Sequence, residues 1–135
     1  MNKQITATSL SELPLTHTFS DGVYVREIYM PKGMIVVGHV HKTRHINIVS
    51  TGKALVWMNG VVSEITAPYT FESDAGVRKV LYIEEDMFWS TVHVTDETDL
   101  DKLKENLVDL KASENLEIDY SEIVNNIIEY KGEST

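Results

Sequence analysis

The 135-residue sequence predicts one mainly β domain, a sandwich or barrel, with a helical extension at its C-terminal end. Three observations predict it. Between Gly22 and Val94, apolar and β-branched residues fall into short runs cut by turn signals, the pattern of many short strands. After Thr95 the apolar residues recur at three- and four-residue steps, the period of a helix. Asn59-Gly60, set between two such runs, is a strong hairpin signal.

Residues 1–20 are mixed in character and are read as a loose start. The first strand is Val23 to Met30, stopped by Pro31-Lys32-Gly33. Met34 to His41 is a second run, and His45 to Val49 a third, closed by Ser50-Thr51-Gly52. Lys53 to Met58 and Val61 to Thr66 flank Asn59-Gly60. Tyr69 to Glu72 leads into a turn at Ser73-Asp74-Ala75-Gly76. Val77 to Ile83 and Phe88 to Val94 form a last pair around Glu84-Glu85-Asp86. Leu100, Leu103, Leu107 and Leu110 then mark a helix that Thr95 or Thr98 can cap. A second helix begins near Ser121, with Ile123, Val124, Ile127, Ile128 and Tyr130 as its apolar stripe, and residues 111–119 join the two. Both stripes need cover, and the outside of the chain's own barrel is the expected place. The barrel is therefore placed at residues 1–94, with its core at 22–94. Residues 95–135 form an acidic helical extension of the same domain.

Composition narrows the function classes. A chain of this length can bury a core without disulfides. The absence of cysteine excludes disulfides, thiolate zinc sites and cysteine nucleophiles, and fits a reducing compartment. The formal charge is −9, so no basic face is available for nucleic acid. Most of it lies in residues 95–135, where 12 acids face 4 lysines; residues 1–94 are close to neutral. Residues 1–20 do not read as a secretory leader. No apolar stretch approaches the ~20 residues of a membrane span. The sequence predicts a cytoplasmic protein whose partner is a small molecule, not nucleic acid or a membrane.

The histidines carry the chemistry. Alternation along a strand puts His39 and His41 on one face. If Lys42-Thr43-Arg44 turns the chain into the next strand, His45 returns beside them, and Asn47 shares its face. Three imidazoles arranged so can converge on one divalent transition metal: Fe, Mn, Ni, Cu or Zn. Trp89, Thr91 and His93 alternate onto one face of the last strand, so His93 can join from there. Arg26 and Glu27 sit within a strand, and one of them must point inward, where a charge needs a partner. Arg26 there would hold an anion. Lys79 on the inner wall would grip a phosphate or carboxylate, aided by Arg44. Trp57, Tyr69, Phe71, Tyr82 and Trp89 are read as core.

These residues also resemble the cupin superfamily. Gly33, His39-Val40-His41, His45 and Gly52 reproduce the spacing of its first motif, with His45 where the family has glutamate. The resemblance implies a cupin-type β-barrel, or jelly roll, with His39 and His41 as metal ligands on the inner wall and His45 as a ligand of changed type. The second motif survives only as Gly76, with Lys79 where its histidine ligand would stand; His93 is the replacement. The motifs cover residues 22–94. The whole chain, including Ala67-Pro68-Tyr69-Thr70-Phe71 and the stretch from Thr95 to Leu100, is similar to stand-alone cupin-like proteins of tailed bacteriophages, which places it in a host cytoplasm. Cupins commonly pair through sheet edges, so the resemblance implies a homodimer.

Three functions stay open on this reading. The first is a metal-dependent cupin built on His39, His41, His45 and His93, with the reaction undefined. The second is a metal-free module that sequesters a small anion or nucleotide, using Lys79, Arg26, Asn47 and Trp89. The third is a phage structural or virion-associated assembly protein.

Overall fold

The computed structural model describes residues 7–9, 13–109 and 120–133. Eight strands and two helices follow in order: β1 (Ala7–Ser9), β2 (Leu15–Ser20), β3 (Val23–Met30), β4 (Ile35–Val37), β5 (His45–Met58), β6 (Val61–Thr66), β7 (Tyr69–Ser73), β8 (Lys79–Val94), α1 (Leu100–Leu107) and α2 (Tyr120–Glu133). The mainly β class and the C-terminal helices agree with the sequence. The join at residues 111–119, and Leu110, lie outside the described residues.

Two long antiparallel strands, β5 and β8, form the spine. On its free edge β5 takes β7 against its first half and β6 against its second. On its free edge β8 takes β4 against its first half and β3 against its second, and β2 extends the sheet beyond β3. Register shifts between Val49 and Ala54 bend the spine midway. The bend closes the sheet around one apolar interior that includes Ile28, Met30, Val49, Val56, Ile83 and Met87.

Several sequence expectations change here. Ser50-Thr51-Gly52 is not a turn; it is absorbed into β5 as the bulged segment. Gly52 has φ +98°, and a Cβ there would lie 2.5 Å from the Asp86 carbonyl oxygen. Glycine is required by both sterics and handedness. Glu84-Glu85-Asp86 likewise does not turn, and β8 runs through it. The second run shortens to β4 because Gly38 is the last residue held by β8, its N–H bonding the Lys79 carbonyl at 2.9 Å. Beyond it, Lys42 N–H bonds the Leu107 carbonyl and Asp109 N–H bonds the Val40 carbonyl, each at 2.7 Å. The chain end of α1 thus replaces β8 as the partner of the histidine segment. The loose start contains β1 and β2, missed because Thr and Ser dilute their apolar pattern. The Asn59-Gly60 hairpin forms as expected, both residues having positive φ, 50° and 83°.

The helices take different places. α2 lies on the outer face of the spine, where Ile123 and Ile127 bury against Ile35, Leu55 and Val80. Ile128, assigned to the stripe, is instead exposed. α1 packs Leu103 and Leu107 on Tyr24 of β3, across the mouth of the barrel. Its cap is Asp99 rather than a threonine: the carboxylate accepts from the N–H groups of Asp101 and Lys102 at 3.0 and 3.1 Å. No helix among the described residues is long and apolar enough to cross a membrane.

Candidate functional site

The strand period builds the site. β3 turns Tyr24, Arg26, Ile28 and Met30 to one side, and β8 turns Lys79, Leu81, Trp89, Thr91 and His93 to the same interior. Cross-strand register places Tyr24 opposite His93, and Thr91 opposite both Arg26 and Asn47. β5 adds His45, Asn47 and Val49, all buried, while Ile46 and Ile48 between them face out.

Three imidazoles meet. The ring centroids of His41 and His45 are 4.3 Å apart, and each lies 5.1 Å from that of His93. All three residues are buried. His39 stands outside this group and lines the cavity walls beside it. His39 and His41 line the same two cavities, as alternation predicts, but only the His41 ring packs with those of His45 and His93. Burial holds His41 neutral, down to about 2, with His45, His93, Lys79 and Arg26 adding to the effect. Burial first, then neighbouring charges, brings His39 and His93 to about 4. Burial also lowers His45, against a hydrogen bond to Thr43 that pulls the other way.

Two cavities adjoin the imidazoles. An inner one of about 50 Å³ is lined by Lys79, Asn47, Leu81, Trp89 and Thr91 among others. An outer one of about 190 Å³ lies under α1 against Leu15, Tyr24, Leu100, Leu103 and Leu107. Arg26, His39 and His41 line both. Among the described residues, no aspartate or glutamate lines either. Lys79 is buried, brought down to about 8 by that burial, and its Nζ lies 5.8 Å from the Phe71 ring centroid. Asn47 and Trp89 spend their polar atoms on structure. The indole N–H donates to Asn47 Oδ1 at 3.0 Å, and Asn47 Nδ2 donates to Ser73 Oγ at 2.8 Å. Arg44 does not reach the pocket; it is exposed and pairs with Glu72 and with Asp74, the latter at 3.4 Å. Glu27 accepts from Ser90 Oγ at 3.4 Å, so Arg26 is the charge on the cavity side. The α1 residues of the outer cavity were not legible as site residues. Tyr24 was, in principle, because it alternates with Arg26 and Ile28.

A divalent transition metal is the group the cupin pattern implies, and the donor set can be tested against it. Neutral imidazoles suit such an ion. His45 Nδ1 lies 3.1 Å from the Thr43 carbonyl, so it donates there and leaves Nε2 as a bare lone pair. That Nε2 and the Nδ1 of His93 are buried with no hydrogen-bond partner. Buried nitrogens without partners are costly unless something accepts their lone pairs or protons. The chemistry therefore fits. The rings are not yet aimed together, since among the described residues no three His, Cys, Asp or Glu side chains form a group that could hold a metal ion.

No protein-family model and no curated protein matches this chain. Solved structures do. A conserved protein with a double-stranded β-helix domain from Klebsiella pneumoniae is 16% identical, with TM-score 0.54 over 64% of this chain and 80% of its own. The Cnp3 cupin domain of Schizosaccharomyces pombe is 17% identical, with TM-score 0.53 over 70% of each. A cupin superfamily protein from Desulfitobacterium hafniense is 10% identical, with TM-score 0.53 over 62% and 78%. At these identities the likeness speaks for architecture: the chain has the double-stranded β-helix fold of cupin-domain proteins.

Proposed function

We propose that this chain is a small-molecule-binding cupin in which His41, His45 and His93 take a divalent transition metal beside the two cavities. The observation that carries the reading is the buried triad itself, with centroids 4.3 to 5.1 Å apart and two nitrogens left without partners. His93 fills the place that the resemblance gave to a second-motif histidine, and Lys79 occupies that motif position. When bound, the ion would supply a Lewis acid facing the cavity. The chain's own residues do the rest. Thr43 fixes the His45 tautomer, the Asn47–Trp89–Ser73 bonds hold the inner wall, and α1 shields the imidazoles from water.

The test is elemental analysis and titration with Co²⁺, Ni²⁺ and Zn²⁺ on chelator-stripped protein. One equivalent is expected, and substituting His45→Ala or His93→Ala should weaken it at least 100-fold. Less than about a tenth of an equivalent, or unchanged affinity in both variants, overturns the reading.

A second reading is favoured by a separate observation. Arg26 and Lys79 share a cavity that no carboxylate lines. A metal-free pocket for a small anion accounts for that pair without any ion at the histidines. Assembly into a homodimer and residence in a phage-infected cytoplasm stay as proposals from the sequence resemblance alone.

A further inference from the structure

The two cavities differ in size and share one cationic junction, and together they describe a ligand. The inner one has about 50 Å³ and places Lys79 and Arg26 on its wall. A water needs about 10–15 Å³ by the same kind of measure, so there is room for roughly three to five water-sized groups. That holds the three heavy atoms of a carboxylate with room to spare and the four of a phosphoryl group more tightly. The outer cavity has about 190 Å³; Leu15, Leu100, Leu103 and Leu107 give it an apolar stretch under α1, beside His17, Tyr24 and Lys104. Arg26, His39 and His41 stand where the two meet.

The charges ask for an anion at that junction. The described structure has ion pairs at Arg44 and Lys53 but none at Arg26 or Lys79. Among the described residues no aspartate or glutamate lines either cavity, so none offers a compensating charge. Lys79 is buried and Arg26 half-buried; a desolvated cation without a counter-charge is unfavourable, and an entering anion removes the penalty. An arginine fork also matches a carboxylate in two-point geometry.

We propose that the barrel takes a small carboxylate with an apolar body, its head at the junction between Arg26 and Lys79 and its body beneath α1. This deepens the pocket reading above and rests on it, but it does not require that the metal be present. The roof follows from the fold. The hydrogen bonds between residues 107–109 and residues 40–42 fasten α1 over the histidine segment, so the helix that closes the mouth also forms the apolar half of the site. A metal at the triad and a carboxylate at the junction would be compatible, because the head would bring the negative charge that the ligand set lacks.

The experiment is calorimetric titration of the full chain, metal-free and metal-loaded, with benzoate, phenylacetate, hexanoate and acetate. Benzamide serves as the uncharged isostere and phenyl phosphate as the larger anion. Phenylacetate, benzoate or hexanoate is expected to bind at least 10-fold tighter than benzamide, acetate or phenyl phosphate. Arg26→Gln should cost at least 10-fold, and Arg26→Lys should restore part of it. Leu100 is half-exposed, so Leu100→Ala will fold, and it should weaken hexanoate while leaving acetate unchanged. Equal affinity for benzamide and benzoate overturns the proposal. So does carboxylate affinity that is indifferent to Arg26→Gln, or a failure of every carboxylate to bind. Metal uptake without carboxylate binding would sink this inference and leave the triad reading standing. Carboxylate binding without metal uptake would do the reverse.

Discussion

His45 holds one ring nitrogen against the Thr43 carbonyl and the other inside the barrel, and the difference decides what its neighbours can be. An imidazole so placed cannot take a second proton without burying a charge beside His41, His93 and Lys79. The consequence is measurable in stability. His41 titrates at about 2 and His93 at about 4 in the folded chain, against 6.5 for an ordinary imidazole. Well above pH 6.5 both states are neutral at these positions and stability does not change. As pH falls below 6.5 the unfolded chain gains protons that the folded chain refuses, so stability is lost, continuing until pH reaches the folded values. For metal-free protein the loss at pH 5 is about 2 kcal/mol per imidazole. Urea midpoints at pH 7.5 and pH 5 check it; the lower pH should unfold earlier, and His93→Gln should narrow the gap. The same interior explains Asn47, fully buried and bonded to Ser73 and Trp89. Asn47→Leu should destabilise by about 1–3 kcal/mol, because the Trp89 N–H is then left without an acceptor.

At the scale of elements, the bend in β5 rests on Gly52. Any Cβ there would meet the Asp86 carbonyl and the Met87 backbone, so Gly52→Ala must displace β8 or distort β5. A cost on the order of 2–4 kcal/mol is expected, readable as a fall in thermal midpoint. α2 provides a contrasting case. Ile127 is almost fully buried against the outer face of the spine, so Ile127→Ala should cost about 2–4 kcal/mol. It should do so without altering carboxylate affinity, since α2 touches neither cavity. What the sequence revealed divides along the same line. Strands bounded by a real reversal, such as the Asn59-Gly60 hairpin, were legible because the turn chemistry is local. The continuity of β5 and β8 was not, because Ser50-Thr51-Gly52 and Glu84-Glu85-Asp86 have turn composition, and only pairing across the spine keeps them extended. The triad was half legible for a related reason. Spacing placed His39, His41 and His45 on the cavity and offered His93, but which three rings pack together depends on hydrogen bonds of the histidine segment to residues far along the sequence.

For the whole molecule, charge and shape separate by region. The strands are near neutral and the last 41 residues carry most of the negative charge, so the acidity belongs to the helical end and not to the cavity. Salt should therefore affect carboxylate binding through Arg26 and Lys79 only modestly, since buried pairs are poorly screened. The long spine has one more effect. His93 lies at the far end of β8, paired with Tyr24 some 70 residues earlier, while Lys79 opens the same strand. Every residue lining the inner cavity, and each of the three clustered histidines, is borne by β3, β5, β8 or the segment between β4 and β5. None of these can be placed until distant stretches of chain have met. During synthesis the pocket stays unformed until Val94 has emerged, and the roof comes later still. A nascent chain halted before β8 has the first histidines but nothing to bring them together, so ligand or metal can assist only the last step of folding, not its start.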